Sequence, residues 1–499
     1  MKVFLMYKDR DFNSQYKLSA TQEELCRDLE LETLFAGMAT GDEFLFSVAQ
    51  KAVLSNMYDE DSILYRQDIL KDGLENQSVV RDLYDIAVKA IEGEKKHYLG
   101  ISRYPDSILR RSIECLQMYV GIFKELKHIA DIHAGKFQSD GFTTFFEMIK
   151  RDLNEEYLNS VQEHLRELKF DRGVFISADL GKGNQGYNYR LRKIEEKKRN
   201  WIQNIIFTRK LPAHAFYISD RDESGHRAIR ELRNRGINLA ANALAQSNDH
   251  ILSFFSVMRV ELAFYIGCLN LYEHILKLGK STSFPVPMSS DTRNLSYQNL
   301  YDVCLALTSG ENIVGNHGNA DDKNIIIITG ANQGGKSTFL RSIGVAQIMM
   351  QCGMFVPADY FRANVCNGIF THFRKEEDSD MNSGKLDEEL SRMSDIVDQI
   401  RPDSLILFNE SFAATNDREG SQIANGIVRA LSERHIKVFY VTHLYEFAND
   451  LYQKGLKEVL CLRAERQAGG KRTFRIIKGE PLQTSYGHDL YEVTWGRGN

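Results

Sequence analysis

Asn324-Ile325-Ile326-Ile327-Ile328-Thr329-Gly330-Ala331-Asn332-Gln333-Gly334-Gly335-Lys336-Ser337-Thr338 carries more information than any other run in this chain. Four consecutive isoleucines suit a short strand buried on both faces, the habit of parallel sheets. A loop with three glycines follows, and the pattern predicts a helix opening at Lys336. Gly330, Gly335, Lys336 and Ser337 stand at the fixed positions of the phosphate-binding pattern G-x-x-x-x-G-K-[ST]. Glycine there lets successive backbone N–H groups point inward around a polyphosphate, and the helix N-terminus adds partial positive charge. The reading assigns Gly330, Ala331, Asn332, Gln333, Gly334, Gly335, Lys336, Ser337 and Thr338 to a nucleotide. Lys336 would reach the β- and γ-phosphates and Ser337 would ligate Mg²⁺.

Outward from this run, strands and helices alternate. Val365–Phe370, Ser404–Phe408 and Val438–Thr442 read as strands. Helices are expected over Leu386–Ile400 and from Gly420. Such alternation predicts a mainly parallel sheet covered on both faces. Leu405-Ile406-Leu407-Phe408 ends in Asn409-Glu410, where NTPases place acidic residues near Mg²⁺ and the attacking water. Glu410 is the candidate catalytic acid. Asn409 stands where an Asp is expected; its amide oxygen still accepts a hydrogen bond, with one negative charge fewer. Val438–Val441 leads to Thr442-His443, and a His at a strand's carboxyl end faces the ligand crevice of an open α/β sheet. It is read as a γ-phosphate sensor.

Upstream, 21–168 has a helical texture, with Ile149, Leu153, Tyr157, Val161 and Leu165 at three- and four-residue spacing. A second helical block runs from Ser224 to Lys277, and Ser281–Ser290, with two prolines, reads as a linker. Between the blocks, glycines punctuate short runs such as Val174–Ile176 and Ala215–Ile218, which resemble strands or connectors. Lys182 to Arg235 holds 14 Lys or Arg against 6 Asp or Glu, a local charge of +8. Arg190, Arg192, Lys193, Lys197, Lys198 and Arg199, among Tyr187, Tyr189 and Trp201, could contact a nucleic-acid backbone. The same composition suits a solvated face.

The whole chain has 499 residues and a formal charge of −5, so any nucleic-acid surface must be local. Seven scattered cysteines, none in a C-x-x-C pair, read as reduced core residues of a cytoplasmic protein. The N-terminus lacks the apolar core of a signal peptide. Leu262–Tyr272, the best membrane candidate, is too short and is flanked by Glu261 and Glu273, so no membrane partner is expected.

In order, GANQGGKSTFLRSIG, CGMFVPAD, SGKLDEELSRM, LILFNES, DREG, VTH and Ser485-Tyr486-Gly487 resemble the ATPase domain of the MutS mismatch-repair family. Ile63–Leu70 is similar to that family's helical core/lever domain, and the basic insertion falls at its DNA-touching clamp. The resemblance implies a multidomain α and α/β protein. Helical core/lever segments would occupy 1–169 and 224–282, with a basic insertion at 170–223 and a P-loop ABC-type ATPase at 283–499. It implies Mg²⁺ beside Ser337, Asn409 and Glu410, a water-activating Glu410, a switch His443, and an adenine ring against Ile313 and Val314. It also implies a homodimeric ATPase acting on duplex or branched DNA in repair or recombination.

Departures from the family pattern temper these expectations. No mismatch-reading module is expected ahead of the helical core, and Phe145-Phe146-Glu147 is read as a chance echo of its wedge. Leu386-Asp387 stands where the family's Ser-Thr signature approaches the opposite subunit's γ-phosphate, and no room is expected for C-terminal dimerisation helices. A second reading is a nucleotide-gated scaffold that binds ATP, hydrolyses it weakly and engages a protein. Asn409 and Leu386 favour that reading; the basic insertion favours the first.

Overall fold

The isoleucine run forms the strand Ile325–Thr329, and all five of its residues are buried. In the computed structural model, which describes residues 1–96, 104–171, 173–193, 214–310, 313–375, 384–467 and 472–482, it lies inside a six-stranded sheet. From one edge the order is Arg472–Lys478, Val459–Arg466, Ile325–Thr329, Lys437–Val441, Leu405–Asn409 and Ile369–Phe373. Every neighbouring pair is parallel except the edge pair of Arg472–Lys478 with Val459–Arg466.

Successive side chains of a strand point to opposite faces, so the isoleucines divide. Ile325 and Ile327 join Ile406, Phe408, Val438 and Tyr440 in one apolar layer, covered by Met393, Ile396, Val428 and Phe447 from three helices, Lys385–Gln399, Asp417–Glu433 and Tyr445–Gln453. The helix Lys336–Gln351 packs against the strands Lys437–Val441 and Leu405–Asn409.

Two expectations near the sheet are corrected. Val365–Phe370 is not one strand: Tyr360–Asn364 and Ile369–Phe373 belong to different sheets, with Val365–Gly368 crossing between them. Burial misled the reading, because Val365 and Cys366 are buried in the crossing itself. Ser281–Ser290 is more than a linker, since Val286–Met288 forms a strand. It is the edge of a four-stranded sheet, pairing parallel with Tyr360–Asn364, followed by Leu295–Leu300 and Asn316–Asn319. An edge tolerates Pro287, which has no N–H to give a second neighbour.

Eight α-helices lie between Ala20 and Glu167, and six more follow among the described residues. The longest is Glu223–Lys277, with 55 residues. By length and composition it could cross a membrane, with mean hydropathy 1.6 over an 18-residue window, but 61% of that window is buried inside the protein. Within it, the buried Glu261 accepts the backbone N–H groups of Leu5 (2.7 Å), Met6 (3.2 Å) and Phe12 (2.7 Å). Burial nonetheless raises its carboxyl to about 7.

By contacts the chain divides into two units. The first comprises Met1–Val3, Asp82–Ala134 and Phe146–Arg259. Among its described residues the regular elements are helices and one antiparallel hairpin of Ile176–Leu180 and Gly186–Leu191, turned through the glycine-bearing 181–185. Ala215–Ile218, expected as a strand or connector, forms no regular element.

The second unit comprises Phe4–Arg81, Gly135–Phe145 and Val260–Asn499 and contains both larger sheets. Here the run around Arg66 finds a structural use. Arg66 is fully buried and donates to Met6 O (3.0 and 3.2 Å) and Cys352 O (3.1 Å), while Gln67 donates to Pro285 O (3.1 Å). A buried guanidinium needs such partners, and truncating it would leave three carbonyl contacts unmade. All seven cysteines are buried and free. Phe145 and Phe146 are buried as well.

Candidate functional site

Strand register brings the chemistry together. Val441 pairs with Ile328 on one side and with Asn409 on the other, so three strands end level. The bonds Thr442 N–H to Ile328 O (3.1 Å) and Glu410 N–H to Val441 O (2.9 Å) continue the ladder one residue further. The phosphate loop, Asn409-Glu410 and Thr442-His443 therefore share the carboxyl edge of adjacent parallel strands, where open α/β sheets bind ligands.

The loop is already curved. Gly330 has φ 115° and Gly335 φ 87°, conformations from which a Cβ is largely barred. Space excludes one too: a Cβ on Gly330 would stand 2.9 Å from the Ala464 backbone nitrogen, and one on Gly334 2.8 Å from the Ala464 Cβ. Lys336, only 5% exposed, turns back and donates to Gly330 O and Ala331 O, both at 3.0 Å. Burial lowers its ammonium to about 8; Glu410 pulls it upward and Arg472 pushes it further down.

Ser337 Oγ donates to Asn409 Oδ1 at 2.9 Å. These are hard oxygen donors of the kind Mg²⁺ takes, and Glu410 follows directly with a carboxylate. Among the described residues no three His, Cys, Asp or Glu side chains converge into a metal cage. A Mg²⁺ ion would fit here in company with phosphate oxygens, held by Ser337 and Asn409. His443 Nε2 lies 3.2 Å from Glu410 Oε1. That hydrogen bond, ahead of the opposing effect of burial, lowers the Glu410 carboxyl below its ordinary value, with help from Lys336 and Arg374. Glu410 is therefore ionised at neutral pH, the state a general base requires.

Beside the loop lies a cavity of about 280 Å³. Ile313 and Val314 line it with Gln333, Gly335 and Thr338 from the loop, and Tyr301, Phe339 and Phe474 complete its aromatic wall. Phe474 has φ 58° and is 49% exposed, and Arg472 donates to Gln333 Oε1 at 3.0 Å. No motif announced either residue. Both sit on the edge strand Arg472–Lys478, and only the sheet order places them here.

The basic insertion belongs to the first unit. Arg190 and Arg192 are on and just beyond its hairpin, Arg192 donating to Ser177 Oγ at 2.8 Å, and Lys193 pairs with Glu167 at 2.8 Å. Tyr187, Phe216 and Tyr217 are exposed nearby in sequence, at 54%, 81% and 85%. Lys197, Lys198, Arg199 and Trp201 lie outside the described residues, as does Ser485-Tyr486-Gly487. Leu386 and Asp387 fall in the first turn of the helix Lys385–Gln399.

Two family models match this chain along most of its length. One, the MutS2 N-terminal domain, covers residues 58–278; the other, MutS domain V, covers residues 326–494. The chain belongs to the MutS family. It is 30% identical over 224 residues to Endonuclease MutS2 of Streptococcus equi subsp. equi (strain 4047), covering 44% of this chain and 28% of that protein. It is 25% identical over 282 residues to MutS protein homolog 4 of Homo sapiens, covering 55% and 29%. With Endonuclease MutS2 of Streptococcus uberis (strain ATCC BAA-854 / 0140J) the identity is 22% over 423 residues, covering 82% and 52%. This MutS-family chain thus spans between about a quarter and a half of these relatives' lengths.

Proposed function

We propose that this MutS-family chain is an ATPase that acts as a dimeric, nucleotide-switched clamp on duplex or branched DNA in repair or recombination. The carrying observation is the convergence of Lys336, the Ser337–Asn409 pair and the Glu410–His443 pair at one sheet edge. A polyphosphate entering the loop offers Lys336 anionic oxygens in place of the two carbonyls it now holds. The base enters the cavity lined by Ile313, Val314 and Phe474. Bound Mg²⁺ supplies charge neutralisation at the phosphates, and Ser337 and Asn409 would hold it. Glu410 orients the attacking water and takes its proton; His443 aims that carboxylate and would contact the γ-phosphate.

Relatives named endonuclease support a nucleic-acid substrate. Arg190, Arg192 and Lys193, with Lys197, Lys198 and Arg199, would neutralise backbone phosphates, and the exposed Tyr187, Phe216 and Tyr217 would offer stacking faces. The setting is the cytoplasm, with a second copy of the chain as partner.

One observation favours the scaffold reading instead: beside Ser337, Asn409 brings no charge to the metal position. DNA affinity measured with and without ATP across a salt series separates the two. Each phosphate contact contributes about 0.9 to the slope of log K against log salt, so the double variant Arg190→Ala, Arg192→Ala lowers that slope by about 1.8. Absence of DNA binding in both nucleotide states would reject the clamp and leave the protein-engaging scaffold.

A further inference from the structure

The residues after the catalytic strand are held in an unusual shape. Glu410 has φ 56° and Phe412 φ 60°, a region that residues with side chains occupy only when their surroundings fix them there. Strands supply four fixings: Glu410 N–H to Val441 O (2.9 Å), Tyr440 OH to Ser411 O (2.7 Å), the contact of His372 Nδ1 with Ser411 Oγ (2.8 Å), and Ser411 Oγ to His372 O (2.5 Å). The fifth comes from a helix. Glu389, buried in Lys385–Gln399, accepts the Phe412 N–H at its Oε2, 2.9 Å away.

The same residue grips the segment a second time. Its backbone oxygen lies 2.9 Å from His372 Nε2, and the His372 ring stacks on Phe412 with centroids 5.1 Å apart. Burial drives His372 down to about 4, so the ring is neutral at physiological pH. It then donates from Nε2 to the Glu389 carbonyl oxygen, while the one Ser411 hydroxyl proton lies between His372 Nδ1 (2.8 Å) and His372 O (2.5 Å).

We infer that Glu389 is a positioning residue: through its carboxylate, the helix Lys385–Gln399 sets the backbone geometry that aims Glu410. This rests on the reading of Glu410 as the water-activating acid. Reach and not charge is what the contact requires, because the donor is one backbone N–H. Two conservative variants separate these properties. Glu389→Asp keeps the charge and shortens the reach by one methylene; Glu389→Gln keeps the reach and an acceptor oxygen but loses the charge.

The test measures kcat, the ATP Kd and amide hydrogen exchange at Phe412 in both variants, with Glu410→Gln run alongside. Glu389→Asp should lower kcat by about 10²-fold, the scale of a misplacement near 1 Å, with the Kd unchanged and faster exchange at Phe412. Glu389→Gln should keep kcat and exchange near wild type. Wild-type kcat in Glu389→Asp, equal losses in both variants, or a kcat loss matched by weaker ATP binding would each overturn the inference. Should Glu410→Gln hydrolyse at the wild-type rate, the catalytic reading fails and the inference falls with it. That outcome is recognisable because the exchange difference at Phe412 survives.

Discussion

On the proposed function, Lys336 should make ATP affinity a function of pH. Without ligand its ammonium is buried against two carbonyls and titrates near 8, against an ordinary 10.5. A bound triphosphate surrounds it with anionic oxygens and raises it again, so binding above pH 8 takes up a proton. At pH 9 only about one Lys336 in eleven is charged beforehand, so affinity should fall about tenfold from its value at pH 7, or about 1.4 kcal/mol. The phosphates stay ionised across this window, since their last proton leaves near pH 6. Calorimetric titration in two buffers of different ionisation enthalpy reads both the affinity and the protons taken up. Stability of the ligand-free protein should move the opposite way. Between 8 and 10.5 the unfolded chain binds a proton that the folded Lys336 does not, and likewise at Lys437, also lowered to about 8, so stability rises with pH there. A flat affinity from pH 7.5 to 9, with no proton uptake at pH 9, would refute the argument.

Other outcomes follow from the same site. Glu410→Gln should leave ATP binding intact while lowering hydrolysis on the order of 10²-fold or more, read by single-turnover kinetics; an unchanged rate would move the base elsewhere. Asn409→Asp restores a carboxylate beside Ser337 and should tighten the Mg²⁺ dependence of ATP binding, visible as a lower half-saturating Mg²⁺ concentration. Phe474→Ala removes an aromatic wall of the cavity and should weaken ATP binding by about 1–3 kcal/mol, the scale of base stacking, while inorganic triphosphate binds as before.

What could be read in advance was what the chain writes locally. Ile325–Thr329, its glycine loop and the helix from Lys336 are consecutive, so period and spacing carried them. Asn409, Glu410 and His443 were legible because each directly follows an apolar run that must be a buried strand. Phe474 and Arg472 were not. They reach the loop through the pairing of Val459–Arg466 with Ile325–Thr329 and then with Arg472–Lys478, and nothing local to Phe474 encodes that neighbour. Glu389 was hidden by helical texture, since one acidic residue among Asp387, Glu388 and Glu389 looks like its companions until the helix is docked. Val286–Met288 was missed because prolines usually mark connections, and an edge strand is the exception.

Ala464 contributes no chemistry, yet its methyl and backbone nitrogen occupy the space where Gly330 and Gly334 would carry side chains. The curve of the phosphate loop is thereby cast by the neighbouring strand while the sheet assembles, before a ligand arrives. The loop's conformational entropy is surrendered in folding, which leaves less to be lost at the moment of binding. A bulkier residue at 464 would press directly on two glycines that cannot retreat, and nucleotide affinity would come to depend on a position that touches no nucleotide.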